Sequence, residues 1–264
     1  MAVSALPELV GQGRLDEALA ALQDAVRREP AEASLRTALF QLLSVLGQWD
    51  RALTQLNLCS DLDATSVAMT GTYRELIRCE AFRRRVFAGD KTPLVFGEPP
   101  AWLAKLIEAL PLYESAPAAA VKLRDAAFEE ATTPRGSVNG EPFEWLADMD
   151  GRLGPVLEAV VRGRYYWIPL ERLRAVSIDA PADLRDFVWT PAVFTWANEG
   201  KAVGFIPTRY PGSEENADHR VKLSRSTEWR EASEHLFLGS GQRMFSTDTS
   251  EVSLLEIRNI QFTS

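Results

Sequence analysis

Four carboxylates lie close together in the second half of the chain: Glu141, Glu144, Asp148 and Asp150. Glu144 and Asp148 are four residues apart, so in a helix their side chains would share one face. Carboxylates held in this way could act as a general acid and base or bind a metal ion. The alternative is that they lie at helix ends, facing solvent or an arginine such as Arg152 or Arg164. No histidine lies near them in the sequence, which favours the second interpretation.

Two further motifs in the second half do not complete a ligand site. Asp148-Met149-Asp150-Gly151 is similar to part of a calcium-binding EF-hand loop. That alignment places Leu146 at the first ligand position and Leu157 at the last, and leucine cannot coordinate calcium. Gly239-Ser240-Gly241 lacks the third glycine of a dinucleotide loop and the lysine of a phosphate-binding loop. We interpret it as a turn between strands.

The histidines and cysteines are predicted to have structural roles. Neither His219 nor His235 has a metal-ligand companion three or four residues away, so each is expected at the surface or in a structural contact. Cys59 and Cys79 fall on apolar helix faces, where a free cysteine packs like a small hydrophobic residue. Two cysteines are too few for a disulfide framework, which suits the reduced cytoplasm. The sequence therefore predicts no catalytic residue, no cofactor and no metal site.

Composition limits the classes of partner. The chain has 264 residues, of which 46% are hydrophobic and 25% are charged, as in folded globular proteins. Its net charge of −8 argues against a surface that neutralises phosphates, so nucleic acid is not expected as a partner. The sequence shows neither a cleavable signal peptide nor an apolar run long enough to span a bilayer. We expect a cytoplasmic protein with no membrane partner.

The first half contains an internal repeat of helical type. The segment 13–19, Gly-Arg-Leu-Asp-Glu-Ala-Leu, recurs as Gly-Gln-Trp-Asp-Arg-Ala-Leu at 47–53, an offset of 34 residues. This is the period of tetratricopeptide repeats, which are pairs of antiparallel helices. Gly13 and Gly47 should end the first helix of each pair with a positive φ, and Ala18 and Ala52 should lie at tight helix crossings. The apolar spacing predicts helices near 4–11, 15–28, 32–46, 49–60, 64–88, 101–110 and 116–131.

The second half reads as a mixture of strands and short helices. Turn-forming residues at 132–137 mark a boundary or a lid between the halves, and apolar runs rich in β-branched and aromatic residues follow. The predicted strands are 165–168, 175–178, 188–196, 202–206, 236–238 and 254–257. The segment 155–161 is predicted as a helix and 218–226 as an irregular or helical insert. The predicted fold is α+β, with a tetratricopeptide-like helical domain at 1–131 and a mixed α+β domain at 132–264.

Two arginine-containing segments should connect the halves. Five arginines lie between residues 74 and 85, interrupted by Glu75 and Glu80. They are predicted to form a solvated face or to pair with the acidic second half. Arg209 and Tyr210 lie between Pro207 and Pro211, which fix φ, and we expect both in a constrained turn against the acidic segment 141–150.

Several segments resemble the ImpE family, also called TagJ or SciE-type virulence proteins. At 111–131 only the helical pattern supports the resemblance. Elsewhere the resemblance rests on long motifs that are specific to the family. They are Gly13-Arg-Leu-Asp-Glu-Ala-Leu19, Gly97-Glu-Pro-Pro-Ala-Trp-Leu103, Gly140-Glu-Pro-Phe-Glu-Trp-Leu-Ala-Asp148, Arg152-Leu-Gly-Pro-Val-Leu-Glu-Ala159, Gly163-Arg-Tyr-Tyr-Trp-Ile-Pro169, Asp183-Leu-Arg-Asp-Phe-Val-Trp189, Ile206-Pro-Thr-Arg-Tyr-Pro-Gly212, Thr227-Glu-Trp-Arg230 and Gly239-Ser-Gly-Gln-Arg-Met244.

The resemblance implies a non-enzymatic adaptor or accessory protein of the bacterial type VI secretion system. Members of the family associate with the N-terminal helix of TssB, the small subunit of the contractile sheath, and are linked to sheath recycling by the ATPase ClpV. An adaptor would use the helical face of 1–131, because the inner faces of stacked helix pairs can form a groove for an amphipathic helix. The alternative hypothesis is an enzyme that uses Glu144, Asp148 and Asp150.

Overall fold

Helices occupy the first half of the protein and strands dominate the second, which confirms the predicted α+β class. The computed structural model describes residues 6–233 and 235–263, so the first two residues of the predicted helix 4–11 lie outside the described part. The helices are α1 (Leu6–Gly11), α2 (Leu15–Arg28), α3 (Ala33–Val45), α4 (Trp49–Leu62), α5 (Val67–Phe87), α6 (Ala101–Ala109), α7 (Leu112–Ser115), α8 (Pro117–Glu130) and α9 (His219–Lys222). The predicted helices of the first half are therefore confirmed, and α9 lies within the insert predicted at 218–226.

The helix pairs α1–α2 and α3–α4 form the two repeat units. Gly13 and Gly47 follow the first helix of each pair and have φ values of 73° and 68°. Residues with a Cβ rarely adopt these values. Ala18 and Ala52 are completely buried, as expected at helix crossings. Where a third unit would turn, at residues 81–87, α5 continues as a helix.

The strands are β1 (Leu94–Val95), β2 (Gly136–Val138), β3 (Glu141–Phe143), β4 (Leu146–Asp148), β5 (Val156–Val161), β6 (Arg164–Pro169), β7 (Leu173–Ile178), β8 (Trp189–Trp196), β9 (Lys201–Pro207), β10 (Thr227–Ser233), β11 (Leu236–Gly241), β12 (Met244–Thr247), β13 (Glu251–Ser253) and β14 (Asn259–Phe262). In the described part of the chain, the main sheet has nine strands in the order β1-β6-β5-β9-β8-β7-β14-β2-β3. A second sheet has the order β13-β12-β4, and β10 and β11 form a hairpin. Strand β1 pairs in parallel with β6, so the chain before residue 131 contributes an edge of the main sheet.

Three local predictions are wrong for physical reasons. The segment predicted as a helix at 155–161 contains strand β5, whose six residues are all buried, so no alternation marks it as a strand. The strand predicted at 254–257 is instead a 3-10 turn, Leu254–Glu256, stabilised by a capping box between Ser253 and Glu256. Gly239-Ser240-Gly241 is the end of strand β11 rather than a turn.

The apolar core consists of two clusters on opposite faces of the main sheet. One contains the helices together with Trp167 and Trp189 from the sheet. The other contains Phe194 and Ile260 from the main sheet and Phe245 from the second sheet. Because the first cluster includes residues from both halves of the chain, helices and sheet bury apolar surface against each other. The division into domains 1–131 and 132–264 remains a prediction.

Candidate functional site: a buried charge network and the helical layer

The acidic segment does not form the helical cluster that its spacing suggested. Glu144 lies in the bend between strands β3 and β4, and Asp148 ends β4, so the two residues do not share a helix face. Glu144 is exposed and pairs with Arg135, whose Nε lies 2.7 Å from Glu144 Oε2. Asp148 and Asp150 are buried. The arrangement that the enzymatic hypothesis requires, with Glu144, Asp148 and Asp150 together in one site, is therefore not observed.

Each buried aspartate has several hydrogen-bond donors. Asp150 pairs with Arg152, with 2.6 Å between Arg152 Nη2 and Asp150 Oδ2, as one of the sequence alternatives predicted. The Gly239 N–H also donates to Asp150, at 2.9 Å. Asp148 accepts from Arg243 Nη1, from the hydroxyl of Tyr210 at 2.9 Å and from the Asp150 N–H at 2.8 Å. Both carboxylates are therefore engaged in ion pairs and hydrogen bonds within the protein.

Glu158, in the middle of β5, extends this arrangement to the helices. Arg83 of α5 donates to both of its oxygens, with distances of 2.6 Å from Nε to Oε1 and 2.9 Å from Nη2 to Oε2. Arg243 also donates to Glu158, as does the hydroxyl of Tyr165. We call the six charged side chains the buried charge network: Arg83, Asp148, Asp150, Arg152, Glu158 and Arg243. At its margin Glu80 also pairs with Arg83, with 3.4 Å between Arg83 Nη1 and Glu80 Oε2. Each buried charge therefore has a partner of opposite sign, whose attraction offsets part of the cost of desolvation.

Two carboxylates that share Arg243 respond to burial differently. Burial alone would raise the pKa of Glu158, but Arg83 and Arg243 more than offset that effect and the pKa falls to about 2. Burial raises the pKa of Asp148 to about 6, because Arg243 opposes it only in part and neighbouring Asp150 adds repulsion. The number of arginines around each carboxylate explains the opposite directions.

The structure separates two adjacent residues that were predicted to act together. Tyr210 faces the acidic segment and donates to Asp148, as expected. The prediction is wrong for Arg209, whose Nη1 donates to the Val45 carbonyl at 2.7 Å and to the Lys222 carbonyl at 2.6 Å. Adjacent side chains of an extended segment point in opposite directions, so one reaches the second sheet and the other reaches α3.

Arginines from the α+β part contact the first helix of each repeat unit at equivalent positions. Arg225 Nη1 donates to the carbonyls of Val10 and Gly11, at 2.9 and 2.7 Å. Arg209 donates to Val45 and, at 3.4 Å, to Ser44, which lie 34 residues after Gly11 and Val10. These carbonyls lie at the C-terminal ends of α1 and α3, where a cation is favourable. Those of Val10 and Ser44 also accept from the N–H groups of Gly13 and Gly47. The first helices therefore face the α+β part.

The histidines, the cysteines and the arginine run are the remaining residues for which the sequence made predictions. His219 Nδ1 lies 2.7 Å from the Gly13 carbonyl, so it joins the insert to the first repeat turn. His235 is exposed between β10 and β11, and both cysteines are buried. In the arginine run, Arg83 pairs with Glu158 and Arg84 pairs with Glu214 and Glu215, which confirms pairing with the acidic second half.

Two kinds of feature are absent from the described residues. No group of three or more His, Cys, Asp or Glu side chains in residues 6–233 and 235–263 is placed to hold a metal ion. Within the same residues, no helix combines the length and the apolar character needed to cross a membrane.

The fold and its contacts define an α+β protein in which two helical repeat units are joined to a sheet through a buried charge network. Comparisons with known proteins agree with this description. The family model described as ImpE protein matches residues 140–261, and a tetratricopeptide repeat model matches residues 9–68. The chain is 48% identical over 256 residues to the type VI secretion system accessory component TagJ of Pseudomonas aeruginosa, covering 97% of this chain and 90% of that protein. The chain belongs to the ImpE family.

A solved structure has the same fold. The crystal structure of protein VPA1032 from Vibrio parahaemolyticus matches with a TM-score of 0.89 and 24% identity, over 98% of this chain and 97% of the other. The shared architecture therefore includes both the helical repeat and the sheets.

Proposed function

We propose that this protein is a non-enzymatic accessory protein of the bacterial type VI secretion system that binds a helix of another component. The observation that carries the proposal is the 48% identity to TagJ over nearly the whole of both chains. In its specific form, the partner is the N-terminal helix of the sheath subunit TssB. The complex would act in the cytoplasm, where ClpV recycles the sheath.

Two features of the structure support an adaptor. Tetratricopeptide-type helices present an extended surface that suits an amphipathic helix with apolar anchors at i, i+3, i+4 and i+7. The carboxylates that an enzyme would need are engaged elsewhere, because Asp148 and Asp150 are buried in ion pairs and Glu144 pairs with Arg135 at the surface. Binding is the function that requires no free acid, base or nucleophile.

Calorimetry tests the proposal directly. The full chain is titrated with a synthetic peptide that spans the TssB N-terminal helix, and a scrambled peptide of the same composition is the control. We expect saturable binding with a negative heat-capacity change, because apolar surface is buried. The affinity should change little between low and moderate salt, because apolar contacts are only weakly screened. Absence of binding, or equal binding of the scrambled peptide, would contradict the proposal.

The link to ClpV needs a separate measurement. Purified ClpV is passed over the immobilised protein with and without the TssB peptide. Retention only in the presence of the peptide would show that TssB connects the two proteins, and retention without it would show direct contact. If ClpV is retained in neither case, this part of the proposal fails while TssB binding stands.

A further inference from the structure

Strand β10 has an outer edge that no other strand covers in the described part of the chain. It pairs with β11 on one side, in a sheet of two strands. Strand β11 is held on its far side by the N–H groups of Gly151 and Tyr210, which donate to its carbonyls. Helix α8 packs beside β10, but Glu228, Arg230 and Glu231 stay exposed. The middle of the β10 edge is therefore accessible to another molecule.

The hydrogen bonds of β11 show which main-chain groups of β10 point outwards. In an antiparallel pair, opposed residues alternately exchange two hydrogen bonds or none. The N–H groups of Gly239 and Gly241 donate to side chains outside the hairpin, at 2.9 and 2.7 Å. These glycines lie opposite Trp229 and Thr227. The N–H and C=O groups of Thr227 and Trp229 therefore point away from β11, and so do those of Glu231, two residues further along.

Two exposed charges of opposite sign lie on this edge. Glu228 and Arg230 are two residues apart, so their side chains share one face of the strand. Among the described residues, the Arg230 side chain has no ion-pair partner. Glu228 Oε2 accepts from Asn216 at 2.7 Å, and a carboxylate can accept further donors. The nearby Arg220 forms its own ion pair, with 3.0 Å between Arg220 Nη2 and Asp218 Oδ2.

The order Glu-Trp-Arg is self-complementary in an antiparallel pair. When two copies of β10 pair about a two-fold axis through Trp229, the outward main-chain groups of one copy meet those of the other. Glu228 of each copy then lies opposite Arg230 of the other, which gives two cross-strand ion pairs. A shift by two residues would place Glu228 opposite Glu228 or Arg230 opposite Arg230. Exposed charges usually discourage pairing at a sheet edge, but here they favour one register.

We propose that the open edge of β10 binds the same edge of a second copy of this protein, so that the two hairpins form one four-stranded antiparallel sheet. The pairs between Glu228 and Arg230 fix the register. The bulge that follows Glu231 limits the pairing to residues 227–231, so the dimer should be weak and depend on protein concentration. This contact is separate from the proposed binding of a TssB helix, which is an interaction with another protein.

Sedimentation velocity of the full chain, from low to high micromolar concentration, tests the dimer and its charges. The wild type should form a concentration-dependent dimer. Glu228→Arg and Arg230→Glu each place like charges opposite one another at two sites, so each should weaken the dimer by about tenfold. The variant with both substitutions exchanges the charges and should recover the wild-type affinity. Glu251→Arg, at an exposed position of the edge strand β13, is the matched control and should dimerise like the wild type.

Three results would overturn the proposal. The first is a wild type that stays monomeric at every concentration. The second is a dimer that neither single substitution weakens, because the contact would then lie elsewhere. The third is a double variant that dimerises as weakly as the single ones. Since the substituted positions are exposed, the variants should melt like the wild type at low concentration, so that a change in dimer affinity reports on the contact.

A disulfide tests the register in a way that does not depend on charge. Opposed residues of a non-hydrogen-bonded antiparallel pair have Cα atoms about 4.5 Å apart, within disulfide reach, and diagonal neighbours are about 7–8 Å apart. A mixture of Glu228→Cys and Arg230→Cys proteins should therefore form a linked dimer on mild oxidation, and either protein alone should form much less. The native Cys59 and Cys79 are buried. Equal linkage in Arg230→Cys alone would contradict the register centred on Trp229.

Discussion

The helical layer meets the α+β part in two regions that are built differently. At α5 the contact is made between side chains: Arg83 reaches the buried Glu158, and Tyr73 packs against Trp189 with 5.8 Å between ring centroids. At the ends of α1 and α3 the contact is made by arginine side chains on main-chain carbonyls. Removing one partner of a buried ion pair leaves a buried charge without its counter-charge, whereas a cation at a helix end contributes a smaller stabilisation. The two regions should therefore differ in how much a single substitution destabilises the protein.

The largest expected effect comes from breaking the charge-paired contact at α5. Glu158→Gln keeps the shape of the side chain but leaves Arg83 and Arg243 without their shared counter-charge. Removing one partner of a buried ion pair typically costs about 3–5 kcal/mol of unfolding free energy. Glu144→Gln, which breaks the exposed pair with Arg135, is the control and should change stability by less than about 1 kcal/mol. Urea titration followed by circular dichroism measures both, and equal effects would show that the network is not what stabilises this contact.

The pH dependence of stability probes the two carboxylates that share Arg243. Asp148 has its pKa raised from 3.8 to about 6, so it contributes stability at low pH that is lost as the pH rises through about 6. Glu158 has its pKa lowered from 4.5 to about 2, so its contribution is present above 4.5 and is lost as the pH falls towards 2. Each shift of about two units corresponds to about 3 kcal/mol.

The two contributions predict a maximum of stability at about pH 4–5, where Asp148 has gained its proton and Glu158 has not. Melting temperatures measured from pH 7 down to pH 3 should therefore rise before they fall. In Asp148→Asn the rise between pH 7 and pH 5 should disappear. A steady fall from pH 7 in the wild type would contradict the raised pKa of Asp148.

The repeat core should be less sensitive than the charge network. Ala18 and Ala52 are fully buried, so replacing either with leucine overpacks a helix crossing and should cost about 1–3 kcal/mol. Ala20→Leu on the exposed face of α2 is the control, and it should leave the melt nearly unchanged. Since the helices and the sheet share an apolar cluster, we also expect one unfolding transition for the whole chain. Melts of Ala18→Leu and Ala52→Leu that overlay the wild type would contradict the repeat packing.

The helical repeat was predictable from the sequence, and most partners within the buried charge network were not. The offset of 34 residues and the positions of Gly13 and Ala18 identify the helical repeat, because a pair of antiparallel helices is specified by residues close together in the sequence. The pairing of Asp148 with Arg243 joins residues 95 apart and has no local signal. One clue was available: Glu158 is a single charge within the apolar run 156–161, and a charge in a buried strand needs a partner. The same run lacked the alternation that would have identified β5.

The smallest expected effect comes from the two arginines that contact the ends of the repeat helices, and the two can be compared with each other. Arg209 is buried and donates to the main chain of α3 and to Lys222, so Arg209→Ala leaves buried carbonyls without donors and should cost about 1–3 kcal/mol. Arg225 makes the equivalent contact with α1 but is exposed, so water can replace its side chain. Arg225→Ala should cost only about 0.3–1 kcal/mol, the usual value of a cation near a helix C-terminus. Both arginines make their contacts within the chain, so peptide affinity should stay at the wild-type value in both variants. A loss of peptide binding with an unchanged melt would mean that these arginines contact the partner rather than hold the helices in place.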